Sequence, residues 1–252
     1  MMRFVVLATP RSGSNWLCSL LDSHPDMLCH HELFNPDGIH LALSQRGRDL
    51  DFGNTVIRDR APATLLARAW SHGLGHKAVG FKLNRGQAPT ILKLVLADPD
   101  VRKVVIRRDN RIRSFVSERL AEASGEWESY AGRKLSKAQP PLLVVPSVLL
   151  HHVAENRAYY DAIEADLASS GQEAFHVTYE RVGDPLTQRR LLKYLKVVPD
   201  NILKAGTRRQ NPAPLRMLIA NFEELAKALQ GSDLEKDLFS EDGSPSAIGG
   251  AG

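Results

Sequence analysis

The chain has 252 residues, 43% of them hydrophobic and 25% charged, the composition of a soluble globular protein with material for a substantial core. Its 33 basic and 29 acidic residues leave a net charge of +4, too mild to imply nucleic acid, and no apolar run of about eighteen residues suggests a membrane span. Cys18 and Cys29 are the only cysteines, which excludes a disulfide framework and a cysteine-built zinc site; with no secretory pattern ahead of Pro10-Arg11, the reading is a bacterial-type cytoplasmic enzyme.

Strand and helix patterns alternate along the chain, as in a parallel sheet flanked by helices. Phe4 to Ala8 is the first predicted strand, and Gly13 to Ser23 the helix after it, with Leu17, Leu20 and Leu21 at helical spacing. Pro62 suits the first position of a helix that leads to a second strand, Lys77 to Leu83. Val101 to Ile106 is the third strand. The helix that follows, Asn110 to Ala123, buries Ile112, Phe115, Val116 and Leu120, which leaves Asn110, Arg113, Ser114 and Ser117 on a face open to a ligand. The polar stretch from Ser124 to Pro146 reads as a loop long enough to cover a substrate. Beyond it come a long helix (Ser147 to Ser169), a fourth strand (Phe175 to Tyr179), a helix (Asp184 to Leu195) and a last helix (Pro214 to Leu229). The expectation is one α/β domain over residues 1–239, with a central, mostly parallel sheet of four or five strands. The remainder, 240–252, has almost nothing to bury and should be disordered.

The first strand runs into "TPRSGSNWL", Thr9 to Leu17. A strand that ends in a tight small-residue turn and feeds a helix aims backbone N–H groups and the positive end of the helix dipole at one point, which favours an anion. Ser12, Gly13 and Ser14 permit close backbone approach, Asn15 adds a side-chain donor, and Arg11 adds a permanent charge on a planar fork suited to oxyanions. A nucleotide-hydrolysing P-loop needs a Gly-Lys pair that is missing here, along with an acidic strand end for magnesium. The plainer alternative is that a serine merely caps the helix while Arg11 is solvated.

The string resembles the 5′-phosphosulfate loop of sulfotransferases, enzymes that use 3′-phosphoadenosine-5′-phosphosulfate (PAPS) as donor. In that superfamily the loop is P-[KR]-[ST]-G-[ST]-[ST]-x-[LW]. Pro10, Arg11, Ser12, Gly13 and Ser14 match it, Trp16 or Leu17 is the apolar follower, and Asn15 replaces the usual hydroxyl. The resemblance implies a P-loop NTPase-like sulfotransferase fold and a 3′-phosphate site made by an arginine at the end of a central strand and a serine in the next helix. "VRKVVIRRDNRIRSFVSERLA" supplies seven basic residues between Arg102 and Arg119. The resemblance assigns the 3′-phosphate to Arg108 and Ser117, with Arg107 the competing arginine. A third string, "KAGTRRQNPAPLRMLIANFEELAKAL", is similar to the C-terminal part of the bacterial branch that includes trehalose 2-sulfotransferase, and implies that Arg208, Arg209 and Gln210 close over the donor.

In the same branch a glutamate in a His-Glu-aromatic-Phe motif serves as base, which His31-Glu32-Leu33-Phe34 matches except at Leu33. The resemblance therefore gives Glu32 the base role. His31 is the rival, because an unperturbed imidazole titrates closer to neutrality, and His30 is the third choice. Lys82, on the edge where open α/β sheets bind ligands, is a candidate for the donor sulfonate or the acceptor. The implied reaction is sulfuryl transfer from PAPS to a hydroxyl acceptor (carbohydrate, glycolipid or small alcohol), without a metal, releasing 3′-phosphoadenosine-5′-phosphate (PAP). Neither a nucleic-acid partner nor a membrane span is expected, and a homodimer is allowed. A nucleotide-dependent phosphotransferase and a basic nucleic-acid-binding module are the alternatives. The missing lysine opposes the first, and an aromatic content of 6% opposes a base-stacking surface.

Overall fold

The computed structural model describes residues 1–47, 52–127, 139–199, 203–204, 206 and 213–240. In chain order the elements are β1 (Met2–Ala8), α1 (Ser14–Asp22), β2 (Met27–His30), α2 (Thr55–Arg60), α3 (Pro62–Ser71), β3 (Ala78–Asn84), α4 (Pro89–Ala97), β4 (Val101–Arg107), α5 (Arg111–Ser124), α6 (Pro146–Ser169), β5 (Ala174–Thr178), α7 (Pro185–Tyr194), α8 (Leu215–Leu218), α9 (Phe222–Leu229) and α10 (Glu235–Phe239). The strands form one five-stranded sheet in the order β2-β3-β1-β4-β5. Every pairing in it is parallel, with Phe4 opposite Gly80 on one side and Arg102 on the other. The α/β architecture expected from the alternating pattern is therefore the one observed, with β2, α2, α4 and α10 as additions.

Strand periodicity divides the core. Phe4, Val6 and Ala8 of β1 face α1 and α7, where Leu17, Leu21, Leu191 and Leu192 complete one layer. Val5 and Leu7 point the other way, toward Leu65, Leu66, Ile91, Tyr160 and Ile163 of α3, α4 and α6. Gly80 is glycine for a packing reason: a Cβ there would lie 2.4 Å from the Phe4 ring. A third core sits on α5, where Ile112, Phe115, Val116 and Leu120 pack with Val144, Leu149 and the apolar faces of α8, α9 and α10.

Two expectations change. The helix foreseen over Pro214 to Leu229 is broken, because Ile219 forms a parallel bridge with Leu142. There the Leu142 N–H donates to Leu218 at 2.8 Å and the Ala220 N–H donates to Leu142 at 2.8 Å, so these groups serve the bridge rather than a helix. The face of α5 expected to be open is also covered. Asn110, Arg113, Ser114 and Ser117 are all buried. Asn110 caps α5 by accepting from the Arg113 N–H at 2.7 Å and donates to the Asp237 carbonyl at 2.8 Å. Of the long polar loop, residues 128–138 lie outside the described residues, as do 241–252 of the expected tail. Among the described residues no helix is long and apolar enough to cross a membrane.

Candidate active site

The turn after β1 bends through two left-handed residues, Arg11 at φ 60° and Gly13 at φ 92°. Glycine takes that conformation without cost, whereas at Arg11 it stores strain of order 1 kcal/mol, as functional loops often do. Ser12 is fully buried; its hydroxyl donates to the Thr9 carbonyl at 2.8 Å and draws the turn tight. Gly13 is the N-cap of α1, and among the described residues no side chain caps that helix. The first N–H groups of α1 therefore point into the turn without an intrahelical acceptor, a geometry suited to an anion. The base of the turn is anchored by Tyr160, whose hydroxyl lies 3.0 Å from the Thr9 N–H and donates to the Ile106 carbonyl at 2.7 Å.

Arg11 and Ser117, assigned from separate motifs, meet here: the Arg11 Nε–H donates to Ser117 Oγ at 2.9 Å. Its Nη1 reaches the Trp127 carbonyl at 2.5 Å. The two arginines after β4 diverge. Arg107 pairs with Glu164 at 2.6 Å and lies over the Tyr160 ring at 4.5 Å. Arg108 lies over Tyr179 at 4.4 Å. Tyr179 meets Trp16 edge to face at 5.5 Å, and a Cβ on Gly13 would strike it, so Arg108 stands beside the loop. Arg208, Arg209 and Gln210 lie outside the described residues.

On the other side of the loop, Lys82 is inside β3 and only 1% exposed. Its Nζ sits 2.6 Å from Glu32 Oε1 and donates to Asn15 Oδ1. Glu32 Oε2 accepts from Asn35 Nδ2 at 2.7 Å and Gln87 Nε2 at 2.6 Å. Burial pushes this carboxyl up, but the adjacent Lys82 charge and the three hydrogen bonds outweigh it and hold Glu32 at about 2. His31 is completely buried, and the His30 imidazole is brought down to about 4 by burial and by His31 beside it. Leu33 is fully buried in the core.

Sequence reasoning passed over several residues that shape the site. Gln87 and Asn35 hold Glu32, and Arg58 holds the loop that carries it. Arg58, 3% exposed, donates from Nη1 to the carbonyls of Leu33 at 3.3 Å, Asn35 at 2.5 Å and Gly38 at 3.0 Å. Glu118, next to Ser117 in α5, is also buried, and its Oε2 lies 3.7 Å from His152 Nε2. Burial raises Glu118 to about 6 and lowers His152 to about 4. None of these carries a local motif. Apart from Asn35, three positions from Glu32, the pairings join chain segments far apart in sequence.

No family model matches the chain. Nodulation protein H of Rhizobium meliloti strain 1021 is 28% identical to it over 245 residues, covering 88% of this chain and 89% of that protein. A second Nodulation protein H from Rhizobium meliloti is 27% identical over 245 residues with the same coverage. Among solved structures, a sulfotransferase from Alicyclobacillus acidocaldarius covers 94% of this chain and 92% of its own, at a TM-score of 0.48 and 17% identity. The phosphosulfate-type loop thus stands at the carboxyl edge of a parallel sheet, in a chain that is similar to both Nodulation protein H sequences along nearly their whole length.

Proposed function

We propose that this enzyme moves a sulfuryl group from PAPS to a hydroxyl acceptor, a carbohydrate, glycolipid or small alcohol, and releases PAP. The observation that carries the reading is the Arg11–Ser117 hydrogen bond, 2.9 Å long, which joins the loop motif to the helix motif at the uncapped start of α1. When bound, PAPS supplies a sulfuryl group already activated on a 5′-phosphate. Pro10 to Trp16 would cradle that phosphate, and Arg11 with the α1 amides would stabilise the charge that grows on it as the S–O bond breaks. Arg108 and Ser117 suit the 3′-phosphate. Arg107, already paired with Glu164, suits it less well.

Glu32 is the better candidate for the base. Its side chain is 15% exposed, whereas His31 is wholly enclosed, so Glu32 can meet an acceptor hydroxyl that His31 cannot. In the transfer a bond forms between sulfur and the acceptor oxygen, the bond from sulfur to the phosphate oxygen breaks, and the acceptor proton passes to the Glu32 carboxylate. Lys82 is held between Asn15 of the loop helix and Glu32, so it suits a contact with the donor sulfonate.

Calorimetry with PAP, with ATP and magnesium, and with a short oligonucleotide separates this reading from a phosphotransferase and from a nucleic-acid binder. PAP alone should bind; preference for either of the others rejects the proposal. Arg11→Ala should lower the rate of sulfuryl transfer about 10²- to 10³-fold, the usual effect of removing one donor to a developing oxyanion, while the circular dichroism spectrum is unchanged. Labelled PAPS with a cell extract then identifies the acceptor.

A further inference from the structure

Lys82 has two anchors that belong to different halves of the reaction. Its ammonium is 2.6 Å from Glu32 Oε1 and is hydrogen-bonded to Asn15, one residue into the helix that the anion-binding turn feeds. Both oxygens of Glu32 are engaged at once, Oε1 by Lys82 and Oε2 by Asn35 and Gln87. A carboxylate held this way is a weak proton acceptor, because Brønsted behaviour favours a base that titrates near the working pH. A lysine has three donors on a flexible stem, so its ammonium can change partners without backbone movement.

We propose that Lys82 is a donor-responsive latch: it holds the Glu32 carboxylate in the empty enzyme and is drawn toward a sulfonate seated beside Asn15, which releases Glu32 to accept the acceptor's proton only after the donor has bound. The latch rests on the sulfuryl-transfer reading above and adds an order of events to it. Asn35 and Gln87 keep Glu32 oriented throughout, so releasing the ammonium frees the proton-accepting oxygen without freeing the side chain. Removing the neighbouring cation also takes away the largest influence that lowers Glu32 and leaves burial opposed only by the Asn35 and Gln87 hydrogen bonds, which moves the carboxyl upward, toward the range of a useful base.

The two nucleotides PAP and PAPS differ by the sulfonate alone, so their affinity ratio reads the latch without any acceptor. Dissociation constants are measured by calorimetry for the unaltered enzyme, Glu32→Gln, Lys82→Gln and the double variant. Removing the carboxylate frees Lys82 for the sulfonate. Glu32→Gln should therefore tighten PAPS relative to PAP by roughly 3- to 30-fold, inside the span of about 2- to 150-fold expected for groups in direct contact. In the Lys82→Gln background the same change should leave the ratio unmoved. A ratio unaltered by Glu32→Gln, or a shift that persists without Lys82, overturns the latch. A ¹³C carboxyl titration of Glu32 tests it without a substitution. Its midpoint should rise on adding PAPS and stay put on adding PAP, and equal behaviour with both nucleotides overturns the proposal. Failure to bind PAP at all overturns the sulfuryl-transfer reading together with the latch, whereas PAP binding with an unmoved ratio overturns the latch alone.

Discussion

Glu118 and Glu32 are both largely enclosed carboxylates, yet their surroundings push them in opposite directions. Burial raises Glu118 from 4.5 to about 6, with no nearby cation strong enough to compensate. A carboxyl raised by folding contributes stability that is complete below its unfolded value and is lost as pH climbs through about 6. Glu118→Gln should therefore stabilise the protein by about 2 kcal/mol at pH 8 and change little at pH 4, which urea unfolding at the two pH values measures. Equal effects at both would mean that the carboxylate is better solvated than its burial indicates. Glu32 has the reverse sign: lowered from 4.5 to about 2, it contributes stability that is present above 4.5 and lost as pH falls through about 2. The same Lys82 contact that stabilises the fold at neutral pH also weakens Glu32 as a base.

At the level of elements, the loop between β1 and α1 takes its shape from what packs behind it. Gly13 is at φ 92°, and a Cβ there would come within 2.4 Å of Tyr179 Cδ2. Gly13→Ala combines left-handed strain with a collision, and should destabilise the protein by about 1–3 kcal/mol. Displacing Tyr179 also moves the ring under the Arg108 guanidinium, so PAP affinity should fall at least roughly tenfold, a cost of about 1.4 kcal/mol. Thermal unfolding and PAP calorimetry on one sample check both. Normal PAP binding by this variant would remove Arg108 from the donor site. The loop that carries Glu32 has a different support: the Arg58 guanidinium of α2 gathers three of its carbonyls.

Across the whole molecule, the proposed donor site draws on β1, α1, β4 and α5, so a ligand that occupies it should stabilise the fold as a unit. PAP at a hundred times its dissociation constant should add about 2.7 kcal/mol, raising the melting temperature by roughly 5–10 °C for a domain of this size. ATP with magnesium at the same concentration should not, and differential scanning calorimetry distinguishes the two. Much of this architecture was legible in the chain. The alternation of strands and helices, the Pro62 helix start and the loop from Thr9 to Trp16 all depend on local periodicity and turn chemistry, which a short window of sequence carries. Met27 to His30 escaped because a strand of four residues is too short to show a period. The break at Ile219 escaped because its cause is a bridge to Leu142. By itself the sequence named the kinds of groups in the proposed site: small residues and an arginine for an anion and, through the family resemblance, a glutamate for a proton. Only the tertiary structure decided which of them touch, since Arg11 meets Ser117 across 106 positions of chain, and Lys82 reaches both Asn15 and Glu32 from β3. Such encounters follow from the strand order β2-β3-β1-β4-β5, which is fixed by long-range burial of two sheet faces and is written in no single segment.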